Sequence, residues 1–247
     1  MNKSSLYISV LALVVAAAAL AVSVNCPCSK QAPAAAALDS QSVATVLNDN
    51  PQIIIDSLQK YEQNQREEQA RQAAKVFVDN LEEVNNNPDT PFVGNKDAKV
   101  VLVEFFDFSC GYCKRLAPSM ESIVEANPDI KVVFKPITFV APISKYAAQA
   151  ALAANNQGKF MEMYKLMLAA PERLTEESVN AFAAQAGLDM DRFNADVKSE
   201  KVAKTIKDVA SLAEKLQIRG VPSLVLNGKP LQAVDAEGIQ SAINELK

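Results

Sequence analysis

The sequence predicts an α/β fold with an inserted helical domain, preceded by an N-terminal helical segment. Three observations predict it. Val100 to Phe108 is a nearly unbroken apolar run, the pattern of a strand buried on both faces. Cys110-Gly111-Tyr112-Cys113 follows at once and opens a helical stretch. A long helical block then separates that start from a closing strand and turn, Leu224 to Gly228.

Composition narrows the chemistry. The chain has 247 residues, 4 cysteines, no histidine and a net charge of −4. Without histidine, neither a serine nor a cysteine nucleophile paired with a histidine base is available. A mixed cysteine–histidine zinc site is excluded for the same reason, and two widely separated cysteine pairs argue against an all-cysteine metal site. No metal or other cofactor is expected. Proton transfer falls to carboxylates, lysine, tyrosine, water or the thiols. The slight negative charge carries no basic footprint for nucleic acid. Seven glycines among many Ala, Glu, Gln and Lys residues favour helix.

Lys3 precedes the uncharged apolar segment Leu6 to Val24. Its 19 residues exceed the usual signal core of about 7–15 and approach the roughly 20 that span a bilayer. Residues 1–25 therefore read as a signal peptide or an uncleaved signal anchor. Either delivers the rest to an oxidising compartment. Cys26 and Cys28 follow as a lipidation site, a small redox pair or residues without a role; Asn25 is not the small residue expected before a lipidated cysteine. Residues 26–40, rich in Ala and containing Pro, read as a linker.

Residues 41–90 read as helical, with Asn50-Pro51 as a start signal. Ile54, Leu58 and Tyr61 recur at helical spacing, and Ala70, Ala74, Phe77, Leu81 and Val84 repeat it out of register. Stripes this narrow do not fold alone. The helix either self-associates, with the register shift as a stutter, or docks on its own domain. Asn85 to Pro88 stops it, and Pro88 to Gly94 reads as a hinge.

The remaining elements follow in order. The helix opened by Cys110 runs to Ala126 and stops at Asn127-Pro128-Asp129. Ile130 to Lys135 is the second strand, closing a βαβ unit with the dithiol at its helix N-terminus; that context separates a redox pair from a zinc knuckle. Helices follow over Ile143–Asn156 and Lys159–Ala169, with others capped by Thr175, Asp189 and Ser199. Leu224 to Leu226, the Asn227-Gly228 turn and a helix over Ala236–Leu246 end the chain.

Glu104-Phe105-Phe106, the dithiol motif and Gly220-Val221-Pro222 stand here in an order and spacing that resemble DsbA-type thiol-disulfide oxidoreductases. The resemblance covers residues 91–247. It implies a thioredoxin fold with a helical insertion at about 141–217. The N-terminal helix makes the chain similar to oligomeric exported members of the DsbA and DsbC type, and the Gly111-Tyr112 dipeptide is of the type found in DsbC isomerases.

What the resemblance implies can be put residue by residue. Cys110, at the helix N-terminus, is the expected nucleophile, because unpaired backbone N–H groups and the helix dipole favour thiolate there. Cys113, one turn in, resolves the mixed disulfide. Glu104 matches a buried acid that exchanges a proton with Cys113; the alternative is an exposed edge carboxylate. Lys135, at the end of the neighbouring strand, reads from its position as a solvated strand-end lysine, with partnership to Glu104 as the alternative. Pro222 is expected to be cis and to face the dithiol, with Val221 offering its backbone to a client. Tyr112 stands where strong oxidases carry histidine and cannot hold positive charge, so a milder oxidant is expected. It is also placed to touch substrate. The aromatics and methionines from Tyr146 to Met167 read as helical-domain core.

The expected enzyme is periplasmic, held at the inner membrane if residues 6–24 stay uncleaved, or displayed at the outer membrane or cell surface. It forms or isomerises disulfides in cysteine-containing secreted clients, exchanges electrons with a membrane or thioredoxin-like partner, and assembles as a dimer or trimer. A periplasmic reductase and a redox-inert chaperone or surface binding protein are the alternatives.

Overall fold

The computed structural model describes residues 40–247. The apolar leader, Cys26, Cys28 and most of the linker lie outside them. Among the described residues no helix is long and apolar enough to cross a membrane. Contacts divide the chain into two units, one ending at Glu62 and one spanning Gln63–Lys247.

The first unit contains α1 (Ser40–Asp49) and the start of α2 (Gln52–Asp79). α1 buries no residue, and Ile53, Ile54, Ile55, Leu58 and Tyr61 on α2 are exposed.

The second unit contains the rest of α2, α3 (Leu81–Asn86), β1 (Phe92–Gly94), β2 (Val101–Phe106), α4 (Gly111–Ala126), β3 (Lys131–Pro136) and α5 (Ser144–Asn155). It continues through α6 (Phe160–Ala169), α7 (Glu176–Gln185), α8 (Met190–Val197), α9 (Glu200–Lys215), β4 (Ser223–Leu226), β5 (Lys229–Leu231) and α10 (Ala236–Asn244). Five strands form one sheet in the order β1-β3-β2-β4-β5, with β2 and β3 parallel and the other pairs antiparallel. This is the thioredoxin fold with inserted helices that the sequence predicts.

Alternation along the strands sends successive side chains to opposite faces. Leu102 and Phe106 join the core formed with α4, the inserted helices and α10. Val101, Val103 and Phe105 join a second core with Val209 and Leu212 of α9, and with Phe77 and Val84. The helical segment is thus partly docked: Phe77 and Val84 are core residues of the second unit.

The inserted helices start where their caps dictate. Thr175 Oγ accepts from Ser178 N in a capping box, and Asp189 and Ser199 cap α8 and α9 through Arg192 N and Val202 N.

Two readings of the sequence need correction. The helical run breaks at Asn80, whose side-chain amide turns back to the Val76 carbonyl at 2.8 Å instead of continuing the pattern. The expected hinge contains strand β1, antiparallel to β3. Three residues following Pro91 are too few for a periodicity signal, and only pairing with β3 makes them a strand. Gly94 has φ +86, and a Cβ there would lie 2.1 Å from the Ile130 carbonyl oxygen, so the edge closes only on glycine.

Candidate functional site: a buried dithiol beside a cis-proline loop

β2 ends at Phe106, and a short turn delivers Cys110 to the N-cap of α4 with extended backbone, φ −81 and ψ 121. The Cys110 amide donates to the Asp107 carbonyl at 3.0 Å. Cys110 retains 8% exposure, whereas Cys113, one turn further, has none. Both are free thiols. Burial pushes the Cys113 thiol far above its ordinary pKa; a backbone hydrogen bond from Asp107 opposes the rise, and the charge of Glu104 adds to it.

The Val221–Pro222 peptide is cis. The loop that carries it meets the dithiol, and Cys110 Sγ donates to the Val221 carbonyl at 3.3 Å. Val221 itself is half-buried. Tyr112 is 69% exposed, with the Arg115 guanidinium 4.2 Å over its ring.

Glu104 is fully buried in the middle of β2, in register with Phe134 on β3 and Leu224 on β4. Its Oε2 accepts from the Tyr164 hydroxyl of α6 at 2.9 Å, and its Oε1 has no partner among the described residues. Desolvation raises its pKa to about 8, against the opposing pull of the Tyr164 bond. The exposed-edge alternative for this carboxylate is ruled out.

Lys135 is not its partner. Lys135 is in register with Phe105, one position along, so its side chain leaves the opposite face of the sheet. There its Nζ donates to the Glu83 carbonyl within α3 at 3.0 Å. Lys131, on the same face, donates to Asn86 Oδ1 at 2.8 Å. This pair of lysines ties α3 to the sheet. Burial lowers the Lys135 pKa to about 8.

Two residues of the site escape a reading of the sequence. Asp107 is fully buried at the end of β2. Its Oδ1 accepts from Ser109 N at 2.8 Å and Ser144 Oγ at 2.7 Å, and its Oδ2 accepts from Val140 N at 3.1 Å. It joins the dithiol turn to the loop entering α5. A charged residue ending an apolar strand is the available signal. Tyr164 reads as core because its helical spacing is that of core, and only the packing of α6 on β2 brings it to Glu104.

Beside the dithiol lies a groove of about 680 Å³, lined by Gly111, Lys114, Val140, Pro142, Arg173 and Leu174 among others. Lys114 Nζ donates to the Ala170 and Glu172 carbonyls at 2.8 and 3.2 Å, holding the far wall to α4. Phe139 and Val140 stand exposed on the loop that follows β3. Among the described residues, no three metal-ligating side chains cluster. The arrangement supplies a slightly exposed thiol, a fully buried partner thiol and a carboxyl able to take a proton near neutral pH.

Known proteins share this construction. A family model described as thioredoxin matches residues 86–245. A thioredoxin-like oxidoreductase from Silicibacter pomeroyi is 30% identical, with 67% of this chain and 96% of that chain covered at a TM-score of 0.63. A linker-deletion mutant of Proteus mirabilis ScsC is 27% identical, covering 85% of this chain and 97% of that one at a TM-score of 0.69. Among curated relatives, an Na(+)/H(+) antiporter NhaA of Salinispora tropica is 32% identical over 146 residues, which are 58% of this chain and 22% of the antiporter. The chain thus spans about a quarter or less of the length of the curated relatives it matches, and the similarity carries nothing about ion exchange.

Proposed function

The chain belongs to the thioredoxin family as a DsbA-like thiol-disulfide oxidoreductase, and from that premise we propose that it forms or isomerises disulfide bonds in secreted proteins. One observation carries the proposal: the difference in burial between Cys110 at the α4 N-cap and Cys113 one turn inside. A client disulfide reaches only the first sulfur. Cys110 attacks as thiolate at the helix N-terminus, and a mixed disulfide forms. Cys113 then attacks Cys110 and releases the client. Glu104 takes the proton of Cys113, with a pKa near the working pH that suits a shuttle. Val221 and Tyr112 contact the client, backbone pairing at Val221 tolerating many sequences. Pro222 presents that loop to the dithiol.

Tyr112 in place of a charged side chain favours isomerase over strong oxidase. The compartment is periplasmic, with residues 6–24 as leader or anchor; outer-membrane or surface display is the alternative. The domain boundaries follow the same reading: leader 1–25, linker 26–40, helical segment 41–90 and catalytic domain 91–247. The exposed apolar residues Ile53 to Tyr61 support self-association of the chain, which would set more than one dithiol against one client. Its redox partner is a membrane or thioredoxin-like protein.

The test is refolding of scrambled ribonuclease together with reduction of insulin. Both activities are expected to vanish in Cys110→Ala. Wild-type refolding by that variant would overturn the proposal. If the Cys110→Ser, Cys113→Ser double variant still suppresses client aggregation as well as wild type while reducing no insulin, the alternative of a redox-inert chaperone gains; insulin reduction without ribonuclease refolding marks a reductase.

A further inference from the structure

The sheet face under the dithiol helix buries a carboxyl and a phenol against each other. Tyr164 donates its hydroxyl to Glu104 Oε2 at 2.9 Å, and neither side chain has any exposure. Among the described residues Glu104 Oε1 meets no donor. The two oxygens of one carboxyl are therefore unlike: one is occupied, the other bare. A buried acceptor without a protein donor costs stability, and a native structure that retains one has a use for it or a proton on it.

The phenol is held where it is. Its ring packs against Phe106, Phe108, Phe134 and Phe160 at centroid distances of 5.3, 6.4, 5.0 and 5.9 Å. A ring contacted on four sides has no room to swing its hydroxyl elsewhere. Burial and the neighbouring carboxylate keep the phenol protonated well beyond neutral pH, so it acts as donor.

We infer that Tyr164 is a positioning residue for the dithiol chemistry: it occupies Glu104 Oε2 and so makes Oε1 the oxygen that receives the proton of Cys113. This rests on the reading that Glu104 serves Cys113. In the resolving step the sulfur–sulfur bond between Cys110 and the client breaks, and a bond between Cys110 and Cys113 forms. The client sulfur leaves as thiolate, and the Cys113 proton passes to Oε1. The dithiol is oxidised as it gives up the electron pair that reduces the client disulfide.

The Tyr164 bond has a second effect. A hydrogen bond to the ionised form favours that form, so it keeps more of Glu104 as base at neutral pH. Few other groups act on the pair. α4 presents Cys113 and Glu121 toward Tyr164. β3 and β4 present Phe134 and Leu224 at the Glu104 register, and Lys135 leaves the other face.

The experiment follows decay of the mixed disulfide when reduced full-length protein reacts with oxidised glutathione, quenched and read by mass across pH 5 to 10. In Tyr164→Phe, which keeps the ring cage, the midpoint of the decay rate is expected to move up by about one pH unit. The rate at pH 7 falls about three- to tenfold and recovers at the alkaline plateau. An unmoved midpoint, or an equal loss at every pH, overturns the inference and leaves Tyr164 as packing. Glu104→Gln should abolish the pH dependence, and adding Tyr164→Phe should then change nothing further. If Glu104→Gln leaves the dependence intact, the reading of Glu104 itself falls, and the Tyr164 inference with it.

Discussion

Cys110 Sγ donates to the Val221 carbonyl at 3.3 Å, joining residues 111 positions apart in the chain. That bond sets the surface sulfur against the cis-proline loop, while Cys113 lies beneath it with no exposure. The two thiols should therefore react with small electrophiles at very different rates. In the reduced protein, iodoacetamide is expected to modify Cys110 about a hundredfold faster than Cys113. Peptide mass spectrometry after short exposures measures the ratio, and comparable rates would remove the division of labour between the two.

Glu104 makes stability depend on pH in a definite direction. Its folded pKa of about 8 lies above the ordinary 4.5, so between these values the folded state holds a proton that the unfolded state has released. Stability is then lost as pH rises through that window. Relative to Glu104→Gln, the wild type is expected to lose about 3 kcal/mol between pH 5 and pH 8. Taking the difference between two pH values cancels the fixed cost of the buried amide. Urea unfolding at both values measures it, and parallel curves for the two proteins would contradict the burial argument.

Asp107 holds the dithiol turn and the loop before α5 through three hydrogen bonds. Asp107→Ala leaves those donors unpaired and should cost about 3 kcal/mol. Hydrogen exchange should quicken at residues 138–144 and in the first turn of α4, more than elsewhere in the sheet. Asp107→Asn should recover part of the loss. Exchange that rises evenly over the whole second unit would mean Asp107 stabilises the fold without organising the site.

Gly94→Ala tests the edge strand. With φ +86 and the Ile130 carbonyl 2.1 Å from an added Cβ, the β1–β3 pairing has to open. A loss of about 2–4 kcal/mol is expected in thermal or urea unfolding. A neutral result would show that β1 contributes little to the sheet.

Much of this protein is legible in its residues because the signals are local. The Val100 to Phe108 run, the caps Thr175, Asp189 and Ser199, and the Asn227-Gly228 turn each act within a few positions, and each forms where the pattern puts it. β1 is not legible, since three residues beside Pro91 carry no period and become a strand only when β3 is next to them.

By itself the sequence determined the α/β class and the dithiol at a helix N-terminus; that the proline loop faces the dithiol was only implied by the resemblance and is placed by the tertiary structure. The tertiary structure decided the partners. Strand register sent Glu104 to one face and Lys135 to the other, because neighbouring residues of a strand alternate. Helix packing then gave Glu104 a phenol from α6 and gave Lys135 a backbone carbonyl of α3. Such pairings span 60 and 52 positions of chain, and no local pattern encodes a contact made only when distant elements share one core.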